Sequence, residues 1–349
     1  MSLPRHTPAA VLYECGKSLT VESLEIPELL TGQVLVQIAY SGVCQTQILE
    51  ARGLKGPDQF LPHTLGHEAG GTVLAVGPGV ELVSPQDHVV LSWIKGPGKN
   101  APGPVYRNAA GNRVNAGPVA TFSQFAVVSE NRCTRIAKEV PLHIAALLGC
   151  AVPTGAGIVT RQLDAKANDS IAIFGAGGIG LSAILMASLR GCSPIIAIDV
   201  ADDKLEFAKK FGATHTFNAV STAVSDEIQE LVPGGVQFAI ESSGSASAME
   251  LAFQSVKDGG GKAVLAGNLA AGQSILIDPF KLILGREIVG SVGGGTIPEI
   301  DLPRYAELFL EGKLPLDRLC GKTFPLSQIN EALEALEKGT LGRVLMIND

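Results

Sequence analysis

The sequence contains no apolar run approaching the roughly 18 residues of a membrane-spanning helix. Its opening stretch, Met1-Ser-Leu-Pro-Arg5-His, lacks the apolar segment of a secretory leader. Cysteine is scarce: six residues (15, 44, 133, 150, 192 and 320) in a chain of 349 are too few and too scattered for a disulfide framework. They suit a reducing, cytoplasmic setting in which some are free to serve a metal. Basic stripes are also absent, and the net charge of −7 argues against nucleic acid and anionic membrane as partners. There is one tryptophan, Trp93, and no cysteine at all between Ser92 and Asn131.

What is plentiful is apolar side chain, at 46% of residues against 17% charged, and glycine, at 41 residues. That composition supplies large cores, and the length predicts two domains. The chain is organised around Ser170-Ile-Ala-Ile-Phe-Gly175-Ala-Gly177-Gly178-Ile179-Gly180. The apolar run 171–174 reads as a doubly covered parallel strand. Gly175, Gly177 and Gly180 then fit G-x-G-x-x-G: a sharp turn, room for a pyrophosphate, and close helix–strand contact. The phosphates would rest on the N-terminus of the helix that follows. A second strand, Pro194-Ile-Ile-Ala-Ile198, delivers Asp199 where a carboxylate takes the adenosine ribose hydroxyls. With Val200 and Ala201 beside it and no arginine, Asp199 repels a 2′-phosphate, which favours NAD over NADP.

Up to about residue 150 the chain reads as mostly β, from short runs such as Val34–Ile38, Gly71–Val76 and His88–Leu91 set off by Gly, Pro and Asp. From about Trp93 to Ala120 it reads as one long loop. Beyond that, strands at 171–174, 195–198, 215–217, 236–240, 263–266 and 287–290 alternate with helices at 178–190, 203–211, 223–231 and 246–256. Such alternation predicts right-handed crossovers and a parallel sheet covered on both faces. The tail, with helices near 303–311 and 327–338 and a strand at 343–347, resembles the first segment and is expected to fold back onto it.

Cys44 lies in Ser41-Gly-Val-Cys44-Gln-Thr46, His67 in Leu65-Gly-His67-Glu68, and Cys150 in Leu147-Leu-Gly-Cys150. Two thiolates and one imidazole suit a zinc with an open fourth position, but spacing alone does not join residues so far apart. The motifs taken together do. G-V-C-x-T near 44, G-H-E-x-x-G-x-V at 66–73, G-C-x-x-x-T-G at 149–155, G-x-G-G-x-G at 175–180 and G-R at 285–286 resemble the medium-chain, zinc-dependent alcohol dehydrogenase family, in its order and spacing over nearly the whole chain. The resemblance implies a mostly-β GroES-like catalytic domain at 1–151 and 293–349. It places a Rossmann NAD-binding domain, a doubly wound parallel six-stranded sheet in the α/β class, at 152–292. The cleft between them would hold zinc and nicotinamide. It further implies a catalytic Zn²⁺ on Cys44, His67 and Cys150, with Glu68 close by, either behind the ligands or as an exchanging ligand, and Thr46 as first acceptor in the proton path. Thr154 and Ile179 match positions around the nicotinamide, with Gly178 in the phosphate loop; Lys204 matches one near the ribose, and Arg343 one near the pyrophosphate. Trp93 falls where the family lines its substrate pocket with an aromatic. Lys95 and His63 flank that region, and both are expected at the surface. The expected reaction is alcohol plus NAD⁺ to aldehyde or ketone plus NADH, on a small-molecule substrate (a polyol, sugar or cyclitol, or else a simple aliphatic alcohol), in a homo-oligomeric dimer or tetramer.

Four positions depart from the family pattern. The missing cysteines after Ser92 predict one zinc per subunit and no structural zinc, with the loop held by packing alone. Leu49 stands where some members end the proton relay in histidine. Gln47 stands where an acid often orients the zinc histidine. Gln45 replaces a basic residue that some members place on the pyrophosphate. The alternatives are a zinc-free NAD(P)H quinone or enoyl reductase, which should lack the Cys44–His67–Cys150 set, and a non-catalytic NAD-binding redox sensor.

Overall fold

A computed structural model describes residues 3–220 and 223–348; residues 1–2 of the N-terminal stretch lie outside the described residues. The chain divides into two compact units, Met1–Cys150 with Ile297–Asp349, and Ala151–Thr296.

In the first unit, His6–Leu12, Thr20–Glu25, Val105–Arg107, Arg113–Asn115 and His63–Thr64 close into a small barrel. Beside it runs a seven-stranded sheet whose central member, Gln33–Gly42, pairs antiparallel with Glu68–Val76, Phe125–Ser129 and Arg343–Ile347. The period-two positions of these strands turn inward, so that Val34, Val36, Ile38, Ala69, Val73, Val89 and Leu91 form one buried cluster. Full burial of each large aliphatic side chain contributes about 1.5–3 kcal/mol. The tail does return: Arg343–Ile347 lies in the sheet built by the first segment.

Two details differ from the sequence expectation. The stretch read as one long loop contains a hairpin, Val105–Arg107 with Arg113–Asn115, turned on Asn108, whose Oδ1 accepts the N–H groups of Ala110 (3.1 Å) and Asn112 (3.0 Å). Strands of three residues carry too little periodicity to be seen in sequence. Nor is the cysteine-free lobe held by packing alone. The buried Glu130 carboxylate accepts the N–H groups of Glu81 (2.6 Å) and Leu82 (2.8 Å) on one oxygen and of Lys99 (2.7 Å) on the other, and Ser129 Oγ accepts that of Ala101 (2.8 Å).

The second unit is a six-stranded, wholly parallel sheet in the order His215–Asn218, Ile195–Asp199, Ile171–Phe174, Phe238–Glu241, Lys262–Leu265, Glu287–Gly290. Chain order reverses between Ile171–Phe174 and Phe238–Glu241, the switch point where open α/β sheets bind ligands beyond the strand ends. Ala172, Phe174, Ile196, Ile198, Ala239 and Phe253 lie in one core cluster of this unit. Among the described residues no helix is long and apolar enough to cross a membrane.

Candidate active site

Strand register brings the first unit's chemical groups together. Gln33–Gly42 runs out at Gly42, and two residues later Cys44 caps the helix Gln45–Ala51. Glu68 opens the neighbouring strand, with Ala69 opposite Ser41 and Glu68 opposite Ser92. Ser92 Oγ donates to the Gly149 carbonyl at 2.7 Å, which fixes the turn carrying Cys150. Residues 44, 67, 68 and 150 therefore meet although the chain separates them widely: one ligand atom from each lies within 4.8 Å of the others. His67 Nε2 is 3.3 Å from Cys150 Sγ. Thr46, in the first turn of the helix, has its hydroxyl 3.8 Å from Cys44 Sγ. Trp93 stands edge-on to His67 with ring centroids 6.4 Å apart, and its indole N–H is buried without a partner.

Glu68 is completely buried, and a side chain at Gly42 would collide with its carboxylate, 2.7 Å from Oε2. One of its oxygens accepts from the buried Arg343 guanidinium; the other, Oε2, has no partner. Burial raises its pKa, opposed by the charge of Arg343. The two thiols share a hydrogen bond that splits them. Cys44 is held well below the usual thiol range by that bond, against the effect of burial and with help from Arg343 and His67. Cys150 is driven well above it by the same bond and by burial. Two thiols, an imidazole and a carboxylate with an unsatisfied oxygen, converging in a water-poor spot, are the donor set of a tetrahedral zinc. The residues fit that ion.

The remaining expected residues lie in the second unit, Arg343 excepted. Gly175 takes φ +94°, a conformation that favours glycine, and a side chain at Gly180 would lie 1.8 Å from the Gly175 carbonyl oxygen. A side chain at Gly177 would meet no atom within 4 Å, leaving open space above the N-terminus of the helix Gly178–Leu189. Free helix-terminal N–H groups facing such a space fit a pyrophosphate. Asp199 ends its strand and accepts from Ala176 N at 2.7 Å, so the carboxylate also steadies the glycine loop. Thr154 is buried in the helix Ala151–Gly157, which packs close to Ile179; Lys204 is half-buried on the helix Asp202–Lys209. Arg343 belongs to the first unit, where it pairs with Glu68 and keeps Nε without a partner.

Sequence reasoning missed several groups. Just past the neighbouring strand, Ser242 supports the glycine loop, its Oγ donating to the Gly175 carbonyl at 3.0 Å, and Glu241 orders the turn that follows by accepting the N–H groups of Ser243 and Gly244. His63, expected at the surface, is buried and paired with Asp58 at 2.7 Å; Lys95 is exposed as expected. The Cys44–Gln47 spacing of a capping box was a legible signal for the role of Gln47 described below.

The family described as zinc-binding dehydrogenase matches residues 178–311, and the alcohol dehydrogenase GroES-like domain matches residues 31–138. The chain is 34% identical over 370 residues to an alcohol dehydrogenase class-3 of Pisum sativum, covering 98% of this chain and 97% of the relative. It is 31% identical over 371 residues to an S-(hydroxymethyl)glutathione dehydrogenase of Saccharomyces cerevisiae, with coverage of 98% and 96%. Among solved structures it is similar to the benzyl alcohol dehydrogenase of Acinetobacter calcoaceticus, with a TM-score of 0.90, 31% identity and coverage of 99% and 100%. Fold, donor set and relatives agree, and the chain belongs to the medium-chain, zinc-dependent alcohol dehydrogenase family.

Proposed function

We propose that this protein oxidises an alcohol to the aldehyde or ketone with NAD⁺ as hydride acceptor, using one catalytic zinc per subunit. The observation that carries the reading is the convergence of Cys44, His67, Glu68 and Cys150 within 4.8 Å. When bound, zinc supplies a Lewis acid at the substrate oxygen and the nicotinamide takes up the hydride. The chain's own residues do the rest. Cys44, His67 and Cys150 supply the metal's donors. Arg343 holds the Glu68 carboxylate buried beside them. The Thr46 hydroxyl, beside Cys44, is the first acceptor of the alcohol's proton and at the same time passes its own proton onward, through the ribose hydroxyl and water, to solvent. Trp93 forms an aromatic wall beside His67. In the second unit, the N–H groups at the start of Gly178–Leu189 bind the pyrophosphate, Asp199 selects NAD⁺ over NADP⁺, and Thr154, Ile179 and Lys204 contact the rest of the dinucleotide.

The edge strand Glu287–Gly290 and its surroundings expose Leu276, Phe280, Ile283, Val289 and Val292, which supports a homo-oligomer joined through this face. Six free cysteines support a cytoplasmic location.

The test is elemental analysis together with NADH formation on a panel holding benzyl alcohol, S-(hydroxymethyl)glutathione, aliphatic alcohols, polyols and cyclitols, each with NAD⁺ and NADP⁺. A zinc-to-chain ratio near one, and turnover that Cys44→Ser abolishes, is the expected result. A metal-free, redox-silent protein after reconstitution with Zn²⁺ overturns it.

A further inference from the structure

Gln47 holds two residues of the metal cluster at once, and its two jobs conflict. Cys44 is the N-cap of the helix Gln45–Ala51 and Gln47 its third residue, so the pair forms a capping box. In that box the backbone N–H of Cys44 donates to Gln47 Oε1 at 2.9 Å. An N–H needs an acceptor, so the atom facing Cys44 must be the carboxamide oxygen, whichever way the amide is drawn. The other end of the carboxamide, the NH₂ group, therefore faces His67 Nδ1, with which it is hydrogen-bonded. Nδ1 must accept, and a neutral imidazole then carries its proton on Nε2. Nε2 indeed has an acceptor in reach, Cys150 Sγ at 3.3 Å, and Cys150 hydrogen-bonds onward to Cys44.

This is a closed and satisfied chain: Gln47 to His67, His67 to Cys150, Cys150 to Cys44. It is also the wrong tautomer for a ligand. A histidine that binds a metal through Nε2 carries its proton on Nδ1 and donates it to a carboxylate or carbonyl. With the proton on Nδ1, ring N–H and carboxamide NH₂ face each other, donor against donor. Turning the carboxamide over cures that contact but sets the NH₂ against the Cys44 N–H. A glutamate at this position has an oxygen for each donor and meets no conflict.

We propose that Gln47 is a positioning residue that weakens the metal site: whenever His67 takes a metal through Nε2, the carboxamide must turn over or its one oxygen must serve two donors. The inference rests on the metal reading of this cluster. It concerns the placement of one proton, which leaves Nε2 and is retained on Nδ1.

Two measurements test it. In metal-depleted wild-type protein with ¹⁵N-labelled histidine, the His67 ring proton is expected on Nε2, and loading with Zn²⁺ should move it to Nδ1. In Gln47→Glu the proton should sit on Nδ1 before any metal is added. By competition with a chromophoric chelator at one fixed pH, that variant should bind Zn²⁺ about 10–100-fold more tightly than wild type. A proton already on Nδ1 in the metal-depleted wild type overturns the proposal, and that spectrum requires no variant to fold. Tighter binding in Gln47→Glu without the change of tautomer also overturns it, because added negative charge alone would produce that. If the wild-type protein takes up no Zn²⁺ at all, the metal reading itself fails, and the two failures are distinct.

Discussion

The Arg343 guanidinium donates to the Glu68 carboxylate across 275 residues of sequence, and both side chains are more than nine-tenths buried. Removing one member of a buried pair leaves an uncompensated charge in a place water cannot reach. Arg343→Met should therefore cost about 3–5 kcal/mol in denaturant unfolding. Combining it with Glu68→Gln should restore most of that loss. An Arg343→Met protein as stable as wild type would show that the pair carries no such burden.

Glu130 should behave as an organising anion for the cysteine-free lobe. Glu130→Gln keeps an oxygen for Glu81 and Leu82 but turns an NH₂ toward the Lys99 N–H, with an expected loss of about 1–3 kcal/mol. The pH dependence follows from the direction of its shift. Burial works against the charge, but the N–H groups of Lys99, Glu81 and Leu82 outweigh it and hold the carboxyl below its ordinary value. The unfolded chain thus binds the proton first as pH falls. Glu130 contributes its stability above the ordinary carboxyl range and loses it as pH drops through the lower folded value. Stability curves of Glu130→Gln should fall less steeply on that acid limb than those of wild type.

Two glycines of one loop should fail differently. Gly180→Ala places a methyl 1.8 Å from the Gly175 carbonyl oxygen, so the backbone must shift and the melting temperature should drop. Gly177→Ala meets no protein atom within 4 Å and should melt as wild type does. It should nevertheless bind NAD⁺ roughly tenfold or more weakly, a loss of about 1.4 kcal/mol. Calorimetry of both variants with and without NAD⁺ separates the two effects.

On the proposed role of Asp199, Asp199→Asn would remove the charge that repels a 2′-phosphate; it keeps one oxygen for the Ala176 N–H but turns its NH₂ toward the N–H groups of Val200 and Ala201, which the other carboxylate oxygen accepts at 2.8 and 3.1 Å. The ratio of kcat/KM for NADP⁺ over NAD⁺ should rise by roughly 10–100-fold, the worth of a hydrogen bond to a charged group. An unchanged ratio would remove Asp199 from the selection of cofactor.

Much of this was legible in the sequence because local pattern and tertiary role coincide in the second unit. The run 171–174, the three glycines and Asp199 form one consecutive strand–turn–helix–strand, and each element is visible from its own residues. The first unit is different. Cys44, His67 and Cys150 are joined by the register of Gln33–Gly42 against Glu68–Val76 and by a single Ser92 hydrogen bond, neither of which leaves a local trace. Family resemblance supplied those residues; spacing did not. Arg343 matched a position near the pyrophosphate, while its partner Glu68 depends on a strand that returns from the far end of the sequence. The short helices Leu142–Leu147 and Ala151–Gly157 also escaped, since a segment buried all round shows no periodicity.

The strand Arg343–Ile347 gives the fold an order of assembly. Ala151–Thr296 is one uninterrupted stretch, so a ribosome exposes all of it before it reaches residue 343. The dinucleotide half can mature on the nascent chain while the sheet edge along Tyr40–Gly42 still waits for its neighbour and Glu68 for its counter-ion. Synthesis that stalls between the two would release a polypeptide with a finished cofactor domain and a metal centre lacking its arginine, a species that proteolysis should find in the first half and spare in the second.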